Sequence, residues 1–152
     1  MEKQLSFHFT DDFSETCRIH DALYNYNLEK TKAERVDAHA CEYPEQFALV
    51  ARDENGKSYG GISFHWLNDP RRIFVSYVFF DDEIRGCGAG RKIFQELIDH
   101  ARKNGAVQID LTTNTFQAPG FYQKMGFRIT HEEKRPAPAC PENIHSELTL
   151  EL

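Results

Sequence analysis

No stretch of the 152-residue sequence approaches the roughly 20 consecutive apolar residues of a membrane-spanning helix, so no membrane partner is expected. Cysteine is scarce and scattered. Cys17, Cys41, Cys87 and Cys140 form no C-x-x-C pair and read as reduced thiols rather than a disulfide frame. The opening "MEKQLSFHF" has no secretory-signal pattern, which together with reduced thiols makes a cytoplasmic location the expectation. Positive charge is in deficit: 18 Lys and Arg face 24 Asp and Glu, a formal net charge of −6. Phosphate backbones require a basic face, so no nucleic-acid partner is expected either. The acidic balance is compatible with a cationic substrate, and equally with plain solubility. Neither repeats nor a linker interrupt the chain, and no metal is expected.

What is present reads as one domain over residues 1–152. Hydrophobic residues make up 40% and aromatic residues 12%, which fits a globular protein and excludes disorder. A chain this long buries about 70% of its unfolded surface and needs neither disulfide nor metal to hold a core. "QLSFHF" alternates apolar and polar residues, a first strand from Gln4 to Phe9. Asp12-x-x-Glu15 has capping-box spacing and opens a helix carrying Ile19, Leu23 and Tyr26. Glu29 to Tyr43 is polar and reads as a second helix and a loop. Asn55-Gly56 between two apolar runs predicts a hairpin, because that pair suits a turn with positive φ. Ile73 to Phe80 is apolar at nearly every position, as in a central strand covered on both faces. Ile93, Phe94, Leu97, Ile98 and Ala101 then mark one stripe of an amphipathic helix that Gly105 ends. The strand "AVQIDLTT", a short helix in "APGFYQKMG", and the strands "FRITHEE" and "HSELTLEL" complete a mixed α/β chain, a mixed sheet flanked by helices.

Three glycines crowd "DDEIRGCGAGRKIF", residues 81–94, between the apolar strand and the amphipathic helix. The dinucleotide fingerprint G-x-G-x-x-G fails, because Arg91 stands where its third glycine belongs. A P-loop fails too, since the chain has no G-x-x-x-x-G-K-[ST] run. What stands is Arg85-x-x-Gly88-x-Gly90 ahead of a helix. The first N–H groups of a helix lack intrahelical partners and attract anions, and bare backbone admits a close approach. Arg85 and Arg91 carry the wrong sign for that end of the helix dipole unless an anion is expected there. On the loop alone, an anion cradle and a simple glycine turn stand level.

Strand, Arg85-x-x-Gly88-x-Gly90, helix, strand, then a short helix with Tyr122 before Gly126-Phe127, resembles the GCN5-related N-acetyltransferase family. The order of elements matches from about Gln4 to Leu152; the specific motifs lie between Val78 and Phe127. The resemblance implies a central mixed, mostly antiparallel twisted sheet of six or seven strands with about four helices. It implies acetyl-CoA as cosubstrate and a small-molecule amine as acceptor, attacked directly without a metal. A homodimer is compatible with it. Gly86, Cys87, Gly88, Ala89, Gly90 and Arg91, with Arg85, would take the pyrophosphate of coenzyme A. The backbone of Val78, Phe79 and Phe80 would pair with the pantetheine arm, with the N–H of Phe79 or Phe80 facing the developing oxyanion. Thr115 stands where the family often has an Asn, with Asn114 just before it; either side chain suits the pantetheine amide.

By the same resemblance Tyr122 protonates the leaving thiolate, a role that suits a phenol with an ordinary pKa near 10. Cys87 lies in the loop without a histidine placed to activate it, which speaks against a nucleophile. The central strand lacks the Glu that some members use as a base. Tyr77, His65 and a water relay stand as alternatives. By the resemblance the acceptor side falls to about Tyr24 to Cys41 and Arg135 to Asn143, where the acids Glu29, Glu34, Asp37, Glu42 and Glu142 read first as solvated surface. Two other functions stay open: an acyl-CoA sensor without turnover, and a protein acetyltransferase acting on lysine or an N-terminus.

Overall fold

A computed structural model describes residues 4–117 and 119–152. Ala118, where the predicted short helix begins, lies outside the described residues. The chain starts with strand β1 (Ser6–Thr10) and helix α1 (Phe13–Thr31). A hairpin of β2 (Gln46–Arg52) and β3 (Ser58–Leu67) follows, turning at Gly56 with φ +82° as Asn-Gly chemistry requires. Next come β4 (Arg72–Phe80), a 3₁₀ turn at Asp82–Ile84, and α2 (Ala89–Lys103). The last third holds β5 (Gln108–Asn114), a 3₁₀ turn at Thr115–Gln117, α3 (Gly120–Lys124), β6 (Arg128–Lys134) and β7 (Ile144–Glu151). The seven strands form one sheet in the order β1-β2-β3-β4-β5-β7-β6, antiparallel everywhere except between β4 and β5.

Successive β3 side chains point to opposite faces of the sheet. Ser63 meets Thr16 of α1, hydroxyl to hydroxyl at 2.9 Å, whereas Phe64 lies beside His100 of α2. The two long helices therefore cover opposite faces. The predicted stripe of α2 is the half of the core it supplies: Ile93, Phe94, Leu97, Ile98 and Ala101 are all buried. The buried face of α1 is unusually polar, with Glu15, Thr16, His20 and Thr31 inside beside Ile19.

Several sequence expectations need correction. The described residues contain three α-helices and two 3₁₀ turns rather than about four helices. One helix runs on to Thr31, and residues 32–43 form a loop, so no second helix follows Glu29. The first strand sits slightly later than Gln4 to Phe9. The capping box is half made. Asp12 Oδ1 accepts the Ser14 amide at 3.0 Å, but Glu15 turns inward toward Arg52 and Arg18 instead of back to Asp12. β4 is not covered on both faces along its length: from Ser76 to Phe80 every residue is only half-buried.

Candidate active site

Half-burial of β4 has a local cause. Ser63 faces Tyr77 across the β3–β4 ladder, yet Phe64 faces Val75, so Ser76 is one residue too many. An extra residue bends and twists its strand. β4 pairs with β5 only at Ile73–Ile109 and Phe74–Asp110, and beyond the bulge the two strands part. Alternation then decides which backbone groups face the split. Asp81 N–H donates to the Tyr59 carbonyl of β3 at 2.9 Å, so Asp81, Phe79 and Tyr77 direct their amides toward β3. Val78 and Phe80 direct theirs into the gap. The Phe80 carbonyl agrees, because it accepts Arg85 Nε at 2.7 Å from the loop beyond the strand.

A cavity of about 780 Å³ occupies the split, floored by Ser76 to Phe80, walled by Leu23, Tyr26 and Asn27 of α1, and reaching the start of α2. Of the residues assigned from the sequence to coenzyme binding or to the acid, all border it except Cys87 and Thr115; of the alternative bases Tyr77 borders it and His65 does not. Cys87 Sγ donates to the Ile84 carbonyl at 2.9 Å. The Thr115 hydroxyl is spent on Ile144, accepting its amide at 2.9 Å. Asn114, by contrast, lies on the cavity wall. Its Nδ2 donates to Gln117 Oε1 at 3.1 Å, and Gln117 Nε2 donates to Asn27 Oδ1 at 2.9 Å. Asn143 Nδ2 donates to Asn114 Oδ1 at 3.0 Å, so one amide chain ties α1, β5 and the β6–β7 loop together.

The glycine loop meets the demands of an anion cradle. Gly86 and Gly88 have φ +80° and +83°, and Gly88 caps α2 without a side-chain hydrogen bond. A Cβ at either would point into open space, so the backbone there is approachable from outside. No acid stands in the first turn of α2, where Arg91 borders the cavity. Arg85 folds back across the end of β4, 2.7 Å from Asp82 and stacked 5.2 Å from the rings of Tyr26 and Phe79.

Tyr122 sits where α3 presses on α2, its ring edge-on to Phe94, Phe121 and Phe127. Burial pushes its phenol well above the ordinary value, so the hydroxyl keeps its proton. Burial likewise raises the phenol of Tyr77, whose oxygen accepts the Cys41 amide at 3.1 Å. No carboxylate among the described residues borders the cavity, and the acids of the acceptor-side loops are exposed. Sequence reasoning gave no role to Asn27, Gln117 or Ser76. Only Ser76 carried a signal, as a small polar break in an apolar run.

The profile of the acetyltransferase (GNAT) family matches residues 10–127. The chain is 32% identical over 118 residues to the peptidyl-lysine N-acetyltransferase YjaB of Escherichia coli, covering 75% of this chain and 71% of that protein. It is 32% identical over 111 residues to the blasticidin-S acetyltransferase of Streptomyces morookaense, covering 70% and 74%. The fold superposes on a GCN5-related N-acetyltransferase from Kribbella flavida with a TM-score of 0.71, at 18% identity over 97% of this chain and 98% of that one.

Proposed function

The chain belongs to the acetyltransferase (GNAT) family and is an acetyl-CoA-dependent N-acetyltransferase, and we propose that its acceptor is the primary amine of a small molecule. One observation carries this reading. Both loops that the family resemblance assigns to the acceptor side are held to the body of the fold: Cys41 N–H donates to Tyr77, and Ala139 N–H donates to the Thr31 carbonyl at the end of α1 at 2.8 Å. A peptide needs an open groove; fastened loops leave a cavity. Its carboxylate-free wall also offers no counter-charge for a second ammonium, which favours a monoamine over a polyamine.

Acetyl-CoA brings an acyl thioester to the site. The bare backbone from Gly86 to Gly90, the orphan amides at the start of α2 and the Arg91 guanidinium hold its phosphates. Arg85 positions the strand end, bracing the Phe80 carbonyl and capping Phe79. Val78 offers its gap-facing amide and carbonyl to the pantetheine arm. The Phe80 amide, rather than that of Phe79, donates to the developing negative oxygen. The Asn114 side chain, on the cavity wall, serves the pantetheine amide better than Thr115. Tyr122 gives its proton to the departing sulfur. An exposed Cys87 with its thiol on a carbonyl takes no part.

Thiol release from acetyl-CoA, followed with small monoamines, polyamines, and lysine-containing and N-terminal peptides, tests the acceptor. Turnover highest with a monoamine supports the proposal. A peptide or spermidine preferred by tenfold or more would overturn it, and binding of acetyl-CoA without turnover on any amine would favour a sensor.

A further inference from the structure

The split strand leaves one task without an owner: taking the proton from the attacking amine. No carboxylate among the described residues borders the cavity, and the half-buried Tyr77 phenol, its pKa raised by desolvation, keeps its proton while accepting the Cys41 amide. The bulge supplies another route. Ser76, the extra residue of β4, borders the cavity, and its Oγ lies 3.1 Å from Nδ1 of His65 on β3. His65 is 6% exposed and fixed on all sides, stacked on Tyr43 at 4.0 Å, beside Phe74 at 5.5 Å, and paired in register with Gln46 of β2. Tyr43 and Gln46 also line a second hollow of about 300 Å³ with Asp11, Glu42 and Glu45.

We propose that Ser76 and His65 form the proton relay of this enzyme, the Ser76 hydroxyl receiving the amine proton while passing its own to His65 Nδ1. The N–C bond forms and the thioester C–S bond breaks as an amine N–H bond is lost through Ser76 to the imidazole. Tyr122 supplies the proton that the sulfur gains. The imidazolium and phenolate left behind are reset by exchange with solvent. Geometry is supported by charge. Burial holds His65 below the ordinary histidine value, no charged neighbour shifts it, and the ring is a neutral acceptor near pH 7. Were His65 merely a core histidine, its partner would not need to stand at the bulge that opens the cavity. The relay rests on acyl transfer in this cavity and not on which amine is acetylated.

The test has two arms on the full chain. Nitrogen-15 NMR of the free enzyme at pH 7.5 reads the imidazole tautomer without any acceptor. A bare Nδ1 on His65, perturbed by Ser76→Ala, is expected; a protonated Nδ1 overturns the relay. In the second arm, kcat is measured against pH with the monoamine that releases most thiol. Wild-type kcat falls as pH drops below about 6.5, where an imidazole of lowered pKa takes up a proton. Ser76→Ala and His65→Gln each lower kcat on the order of 10²-fold, abolish that acid limb and leave the KM for acetyl-CoA unchanged. The double variant is no slower than either single one, as for groups that act as a unit. Wild-type kcat and pH profile in Ser76→Ala, which keeps the buried ring in place, would overturn the relay even if His65→Gln failed to fold. A monoamine panel without product bears on the acceptor alone, since the tautomer is read independently.

Discussion

Deleting the Tyr122 hydroxyl separates chemistry from packing. Its ring is clamped by Phe94, Phe121 and Phe127, while among the described residues none hydrogen-bonds its oxygen. Tyr122→Phe therefore keeps its thermal midpoint and its affinity for acetyl-CoA, and lowers kcat by on the order of 10²-fold, the lower range for a lost general acid. Retained kcat would move the acid to another group. Because burial raises the phenol, loss of its proton costs wild-type rate only above about pH 10, and a basic limb near pH 8 would contradict the assignment. Residues of this kind were legible because their neighbours in sequence are their neighbours in space: Arg85, Gly88 and Gly90 share one turn, and Tyr122 precedes Gly126-Phe127 on another. His65 and Ser76 were not paired by any reading of the chain. Their contact depends on a one-residue slip between two strands, which no local pattern encodes.

At the level of elements, the start of α2 sets stability against binding. Arg91 stands in a first turn that lacks any acid, a sign opposed to the helix dipole. Arg91→Glu should raise the stability of the free protein by roughly 0.3–1 kcal/mol while weakening acetyl-CoA binding, two effects of opposite sign from one substitution. Calorimetry for the first and a KM for the second check it, and parallel changes would remove the anion from the end of that helix. α2 itself was readable from its apolar stripe, and the β2–β3 hairpin from Asn55-Gly56, because period and turn chemistry are local. The loop at residues 32–43 was less so: the polar stretch from Glu29 read as a second helix and a loop, but the segment lays no apolar face on the sheet. The parting of β4 from β5 was invisible. An apolar run looks alike whether its far half is buried by a partner strand or left open to a ligand.

For the molecule as a whole, the two parts of the single sheet meet at a narrow seam, Ile73–Ile109 and Phe74–Asp110, with Arg72 and Asp110 paired across it at 3.5 Å. A ligand filling the split adds contacts to both halves, so its binding energy appears as global stability. At a concentration near 100 Kd, acetyl-CoA should add about 2.7 kcal/mol. For a domain of this size that raises the thermal midpoint by about 5–10 °C. The same ligand leaves a signature that a surface binder would not. Phe79 already donates to β3, whereas the amides of Val78 and Phe80 face the gap. Hydrogen exchange should therefore slow on acetyl-CoA addition at Val78 and Phe80 and stay unchanged at Phe79, an alternation set by the strand itself. Uniform slowing along β4 would mean that the ligand only stiffens the fold, and no slowing at Val78 and Phe80 would place it outside the split.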